Sequence, residues 1–276
     1  MERSKEIERS LITAYRGKIY AKFIKAIKEY ELIKDGDNIA VCISGGKDSM
    51  IMAKCFQELK RHGKDNFDLR FIVMDPGYNE VNLQKIIKNA EIMDIPIEIF
   101  RSDIFDVAYS CDEGSPCYLC ARMRRGYLYA KAKEAGCNKI ALGHHFDDVI
   151  ETILMGIFYN GQYQSMMPKL KSRNFSGMEL IRPMYKVEEK DIINFAKAND
   201  LDFLRCACRF TERCATEEDE TASKRKEMKL LVRKLKETNP NVALSIFKSS
   251  YNINLATVLG YKKDGKRYFF TDDYDE

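Results

Sequence analysis

No stretch of this 276-residue chain approaches the ~20 consecutive apolar residues of a membrane-spanning helix. The opening Met1-Glu-Arg-Ser-Lys-Glu-Ile-Glu-Arg9 has no apolar region of the kind that marks an export signal, so a cytoplasmic protein is expected. Charge of one sign is also lacking: 46 basic residues are nearly offset by 42 acidic ones, and the net +4 is too small to identify a polyanionic partner by itself. There is no internal repeat and no low-complexity linker. Two nucleotide-binding fingerprints are missing as well, the dinucleotide Gly-x-Gly-x-x-Gly and the P-loop Gly-x-x-x-x-Gly-Lys-Ser/Thr. Nine cysteines, an odd number scattered through a chain without an export signal, argue against a disulfide framework and point to metal or sulfur chemistry.

What is present is enough apolar material, 45% of residues, to bury a full core. Short apolar runs at about 39–43, 69–74, 97–100, 139–142 and 179–181 alternate with helical patterns at about 49–62, 80–93, 118–135, 148–160 and 187–199. That alternation predicts βαβ units and an α/β fold, with a parallel twisted sheet of about five strands covered on both faces by helices. An amphipathic helix is predicted over 5–30, a loop without periodicity over 161–178, and further helices at about 218–237 and 240–258. The expected organisation is a helical extension over 1–36, a nucleotide-binding domain over 37–205, and a cysteine-containing turn with C-terminal helices over 206–276.

Ser44-Gly-Gly-Lys-Asp-Ser49 lies between the first strand and a helix, and this context makes it a phosphate site. Gly45 and Gly46 let backbone approach an anion, the helix start adds N–H groups and a positive dipole end, Lys47 adds a full charge, and Ser44 and Ser49 add hydroxyls. Gly143-His-His-Phe-Asp-Asp148 follows the fourth strand. If the first and fourth strands are neighbours, both loops face one crevice beyond the carboxyl ends of the sheet. Asp147 and Asp148 would repel a triphosphate unless magnesium lay between them, with Asp48 as another candidate carboxylate. The competing reading is helix capping, which aspartate favours in a first turn. His144 and His145 fit a structural role as well as a functional one.

Cys42, Cys55 and Cys137 sit in or beside apolar segments and read as core. Cys111 is undecided. Cys117 and Cys120 begin a helix, where its dipole and Arg122, Arg124 and Arg125 lower thiol pKa values. With Cys206, Cys208 and Cys214 they form the clustered set. A thioredoxin-like dithiol is disfavoured by their place between the third and fourth strands, while a zinc site and an iron–sulfur cluster fit the spacing equally.

Ser44-Gly-Gly-Lys-Asp-Ser49 resembles the phosphate loop of the N-type ATP pyrophosphatases, which split ATP between α and β phosphates. The larger set is similar to the tRNA 2-thiocytidine synthetases over residues 15–210: Val41 to Ser49, Cys117-x-x-Cys-x-Arg-x-Arg-Arg-Gly126, Ala141 to Asp148, Pro168-Lys-Leu170, Ile181-Arg-Pro183 and Glu189-Lys-Asp-Ile192. The resemblance implies a Rossmann-like adenine nucleotide α-hydrolase fold. It implies an ATP site of Ser44, Gly45, Gly46, Lys47, Asp48, Ser49, Met74 and Gly143, magnesium on Asp48 and Asp148, and catalytic roles for Lys47, Asp48, Arg124 and Asp148. It further implies a 4Fe-4S cluster on three cysteines, Cys117 and Cys120 with Cys208; Cys206 is the alternative, because Cys206-Ala-Cys208 stands where the family pattern has Cys-x-x-Cys.

The implied reaction adenylates the C2 carbonyl oxygen of a cytidine in the tRNA anticodon loop and replaces that oxygen by sulfur. The sulfur donor would be a cysteine desulfurase or free sulfide, and a homodimer fits the family. A 2-thiouridine synthetase of the same branch, or a nucleotide-binding iron–sulfur or zinc sensor without catalysis, are the alternatives. Basic patches at Arg122 to Lys133, at Lys169, Lys171 and Arg173, and along Lys224 to Lys236 fit an RNA partner; taken in isolation the last reads first as a solvated face, and a tRNA substrate shifts that balance.

Overall fold

The computed structural model describes residues 2–105, 116–204, 224–272 and 274, apart from the side chains of residues 116–119 and 121. Cys111, Cys206, Cys208 and Cys214, the side chain of Cys117, and the predicted helical residues 218–223 lie outside the described residues.

The first strand, β1 (Asn38–Ile43), explains the architecture. Successive side chains of a strand point to opposite faces. Ile39, Val41 and Ile43 enter one apolar cluster, while Ala40 and Cys42 enter a second. A strand buried on both sides needs layers on both sides. The first cluster is completed by α1 (Glu2–Ile12), α2 (Ala21–Glu29), α3 (Lys47–His62), α4 (Glu80–Ile92) and, later in the chain, α7 (Glu189–Ala198). The second is completed by Leu128, Tyr129, Ala132 and Ala135 of α5 (Pro116–Glu134) and its C-terminal end. The remaining helix of the βα series is α6 (Phe146–Asn160).

The sheet also contains β2 (Asp68–Asp75), β3 (Ile97–Arg101), β4 (Lys139–Ala141), β5 (Lys169–Lys171) and β6 (Glu179–Ile181), in the order β3-β2-β1-β4-β6-β5. All neighbours are parallel except β5, which runs antiparallel to β6 at the edge. The five predicted strands are present; β5 was predicted as loop. Its Lys169-Leu-Lys171 is half-exposed to exposed and has no apolar alternation, so its pairing with β6 comes from tertiary position. The chain leaves β1 for β2 on one side, while β4 pairs on the other, so the switch point lies between β1 and β4.

The predicted helix over 5–30 is broken into α1, one π-helical turn over Arg16–Tyr20 containing Gly17, and α2, yet Ile7, Leu11, Ile19, Phe23 and Ile27 are all buried. Helix α1 is anchored by a buried ammonium. Lys54 of α3 is fully buried and reaches Glu8 Oε1 at 2.6 Å, the Met93 carbonyl at 2.6 Å and Ser4 Oγ at 3.1 Å. Arg61 also reaches Glu8 Oε1, at 2.8 Å. Burial alone would raise the Glu8 pKa, but its hydrogen bonds to Lys54 and Arg61 outweigh that and hold it below the usual range. The resulting stabilisation is complete above the unfolded value of about 4.3 and disappears as pH falls through the lower folded value. Glu8→Gln is therefore expected to cost about 1–3 kcal/mol at pH 7. The gap to the parent should close below about pH 4, and urea titrations across pH would show it.

By compactness the chain forms two units, Met1–Val149 with Met166–Ala222, and Ile150–Ser165 with Ser223–Glu276. In the second, α8 (Lys224–Thr238) buries Met228 and Val232, while Leu235 is exposed; α9 (Val242–Ser249) buries Ala243 and Phe247. The Tyr159 hydroxyl donates to the Glu227 carboxylate, and Tyr163 bonds Ser249 at 2.8 Å. The helix predicted to reach 258 stops at Ser249. A 3₁₀ turn at Leu255–Thr257 and a hairpin of β7 (Gly260–Lys263) and β8 (Lys266–Phe269) follow. Asp264 and Gly265 form its two-residue turn with φ of 49° and 83°, the left-handed pair that a tight hairpin needs. Among the described residues no helix is long and apolar enough to cross a membrane.

Candidate active site

Loop 44–46 leaves the carboxyl end of β1 and enters α3 at Lys47. Gly45 has φ +82°, and a Cβ there would meet Ile86 at 2.5 Å and Leu204 at 3.0 Å, so conformation and crowding both require glycine. Ser49 closes the loop from within. Its hydroxyl accepts from the Ser44 N–H at 3.1 Å, bonds Ser44 Oγ at 3.1 Å and donates to the Gly46 carbonyl at 3.0 Å. The Leu204 N–H donates to the Gly45 carbonyl at 3.2 Å, which holds the segment that follows α7 against this loop as far as Leu204.

The second loop leaves β4 beside it. A Cβ on Gly143 would stand 3.0 Å from the Ser49 nitrogen and 3.1 Å from the Asp48 carbonyl carbon, so glycine is what lets the two loops touch. Asp148 accepts from the His145 N–H at 2.9 Å, while His145 Nδ1 accepts from the Asp148 N–H at 3.4 Å, a reciprocal cap on α6. Asp147 accepts the Glu189 N–H at 2.7 Å, at the start of α7. Asp148 therefore caps its own helix, as the competing sequence reading anticipated, and also lines the cleft, whereas Asp147 caps a different helix, α7.

That cleft, about 360 Å³, opens at the switch point. Ser44, Asp48, Ser49, Met74, Arg124, Gly143 and Asp148, all singled out in the sequence, line it together with Cys42, Arg125 and His144. Lys47 is held at its edge by Asp48 Oδ2 at 3.1 Å and Glu189 Oε1 at 3.3 Å. Burial pulls the Lys47 pKa down, but these two carboxylates more than offset it and the net shift is upward, so the ammonium stays charged. Asp48 Oδ1 is buried and has no hydrogen-bond partner among the described residues; His145 Nε2 stands 3.8 Å from it. An orphaned carboxylate oxygen is costly, and a hard cation is the partner that suits it. Asp48 with Asp148 thus fits magnesium.

Arg124 is set by a second relay. Asp75, buried at the end of β2, accepts from the Gly77 and Tyr78 N–H groups at 2.9 and 2.7 Å, and Arg124 Nη2 donates to the Tyr78 hydroxyl at 3.3 Å. Cys120 lies one helical turn before Arg124 and packs, half-buried, against the same core cluster as Leu204. Deeper in, Arg182 is buried beyond β6; burial first, then Arg125, pulls its pKa down to about 10. Cys42 lines the cleft, but burial pushes its thiol up to about 12, so it is neutral and unreactive at neutral pH. Cys55 and Cys137 are buried too, as expected of core residues. Glu189, Asp75, Tyr78 and Arg182 were not singled out as functional. Only position in the fold connects them to the site, although Arg182 and Glu189 fall within motifs quoted for the resemblance.

Residues 16–208 match the model of the PP-loop domain family. Over 263 residues the chain is 34% identical to a tRNA-cytidine(32) 2-sulfurtransferase of Coxiella burnetii, covering 94% of this chain and 95% of that protein. Over 238 residues it is 37% identical to a tRNA-cytidine(32) 2-sulfurtransferase of Syntrophotalea carbinolica, covering 83% and 86%. Among solved structures, the U34-tRNA thiolase NcsA of Methanococcus maripaludis with its 4Fe-4S cluster superposes with a TM-score of 0.66 at 23% identity, over 84% of this chain and 76% of that one, a likeness of fold. With the phosphate loop, its switch-point cleft and these relatives together, the chain belongs to the tRNA-cytidine 2-sulfurtransferase family of PP-loop proteins.

Proposed function

We propose that this chain is an ATP-dependent tRNA thiolase that converts a cytidine of the anticodon loop, position 32 as in its named relatives, to 2-thiocytidine. The observation that carries the reading is the junction of three parts at one cleft. The phosphate loop and the Asp48–Asp148 carboxylates line it, and Leu204, the last described residue before Cys206 and Cys208, donates its N–H to Gly45 of that loop.

In this reading the ATP site is Ser44 to Ser49 with Met74 and Gly143. Gly45, Gly46 and the start of α3 present N–H groups to the phosphates, and Lys47 stabilises charge on the departing pyrophosphate. Asp48 and Asp148 hold magnesium, which when bound neutralises the triphosphate and lets two carboxylates stand beside it. The cytidine O2 attacks the α-phosphorus and pyrophosphate leaves. A hydrosulfide then attacks C2, its S–H proton passes to solvent, and AMP leaves with the former carbonyl oxygen; with a persulfide donor the outer sulfur attacks in the same way, and a thiol co-reactant then cleaves the C2–S–S–R bond and leaves as the mixed disulfide with R–S. Cys117, Cys120 and Cys208, with Cys206 the alternative third ligand, would hold a 4Fe-4S cluster, which would supply a binding site for sulfide. A cysteine desulfurase or free sulfide supplies that sulfur. Arg124, on the cysteine helix one turn after Cys120, lines the cleft, and its guanidinium would orient the reacting base.

The test is anaerobic incubation of the full chain, reconstituted with iron and sulfide, with ATP, magnesium and unmodified tRNA. RNA-dependent pyrophosphate and 2-thiocytidine in the nuclease digest are expected. 2-Thiouridine instead would move the activity to the sister reaction. No pyrophosphate with any tRNA would remove the enzyme reading.

A further inference from the structure

The β7–β8 hairpin carries Lys262, Lys263, Lys266 and Arg267 against one acid, Asp264, within ten residues. Register places Lys263 opposite Lys266 and Lys262 opposite Arg267, so like charges face each other across the strands on both faces of the ribbon. Directly opposed like charges destabilise a hairpin, and two strands alone are marginal in water. None of the four cations has an ion pair or side-chain hydrogen bond among the described residues, and all four are exposed. The face with Lys263 and Lys266 also bears Tyr261 opposite Tyr268, with ring centroids 4.8 Å apart and planes within 9°.

A polyanion would remove the repulsion that the sequence builds in, and a flat aromatic pair flanked by cations suits a nucleic acid base with its phosphates. A second copy of the chain is a poor occupant, because two such hairpins would repel.

We propose that this hairpin is an RNA-docking element: an unpaired base of the substrate stacks on the Tyr261–Tyr268 pair while Lys262, Lys263, Lys266 and Arg267 hold phosphates. The partner rests on the tRNA reading above. The tight Asp264-Gly265 turn keeps both strands in register, so the stack and the cations are presented as one preformed surface.

The test is binding of fluorescently labelled, unmodified tRNA to the full chain from 50 to 300 mM potassium chloride, with ATP binding measured alongside. Replacing the four cations (K262Q/K263Q/K266Q/R267Q) should weaken tRNA binding at least tenfold at the lower salt and flatten the log–log salt slope by about 2–4. Y261L/Y268L should weaken binding roughly tenfold with the slope unchanged. The K262R/K263R/K266R variant should bind as the parent does, and ATP affinity should be unchanged throughout. Parent-like tRNA binding by both loss variants would overturn the docking role and leave the enzyme reading standing. Failure of the parent to bind any tRNA would overturn both. Parent-like tRNA binding accompanied by loss of retention on phosphatidylserine vesicles would reassign the hairpin to membrane surfaces.

Discussion

Asp48→Ala is expected to lower RNA-dependent pyrophosphate release by about 10²–10³-fold or more, while the chain stays as stable as the parent or becomes slightly more so. Loss of activity follows from the metal. Asp48 is the cleft carboxylate with one oxygen on Lys47 and the other buried without a partner among the described residues. That second oxygen costs free energy in the absence of a cation, so its removal relieves the fold even as it removes the ligand. Lys47 keeps Glu189 at 3.3 Å and does not lose its place. Thermal denaturation without magnesium and pyrophosphate assays over a magnesium titration separate the two effects. Bound iron and sulfide should be unchanged. A variant that turns over normally would move the magnesium site elsewhere.

Cys117→Ala is expected to abolish both cluster binding and thiolation while ATP affinity stays within about twofold of the parent. The separation is positional. Among the described side chains Cys120 does not line the cleft, whereas Arg124, one turn after it, does. Removing a thiolate at the start of α5 therefore leaves the phosphate loop, Gly143 and the Asp75–Tyr78–Arg124 relay untouched. Iron and sulfide content, equilibrium ATP binding and nucleoside mass spectrometry on the same preparation provide three independent readings. Full thiolation by this variant would take the cluster out of the mechanism; loss of ATP binding would mean that the cysteine helix supports the nucleotide site directly.

How far such a site can be read without a structure differs from residue to residue. Ser44 to Ser49 was legible because a strand-loop-helix phosphate site is a local object, written in six consecutive residues and their flanks. Gly143 and Asp148 were legible because they belong to a second local object after another strand. That Gly143 must be glycine for its own reason was not. The reason is the Ser49 backbone 3.0 Å away, which is distant in sequence and adjacent only once β1 and β4 pair. Glu189 and Tyr78 were overlooked on the same ground: their partners, Lys47 and Arg124, lie 142 and 46 residues away.

The sequence by itself determined the five parallel strands, the helices that follow them, the phosphate loop and the buried cysteines of the core. Each depends on a period of 2 or 3.6 residues, or on a contiguous motif, and such signals survive without a neighbour. Tertiary structure alone decided the antiparallel edge strand β5, whose Lys169-Leu-Lys171 becomes a strand because β6 offers free backbone groups beside it. It also decided the division of labour between Asp147, which caps α7, and Asp148, which caps its own helix and lines the cleft. The C-terminal hairpin lies between these cases. Its Asp264-Gly265 pair is a local turn signal that was passed over, and the opposition of Lys263 to Lys266 and the stacking of Tyr261 on Tyr268 exist only in the paired register. Pairing is a relation between two segments, and no pattern within one segment contains it.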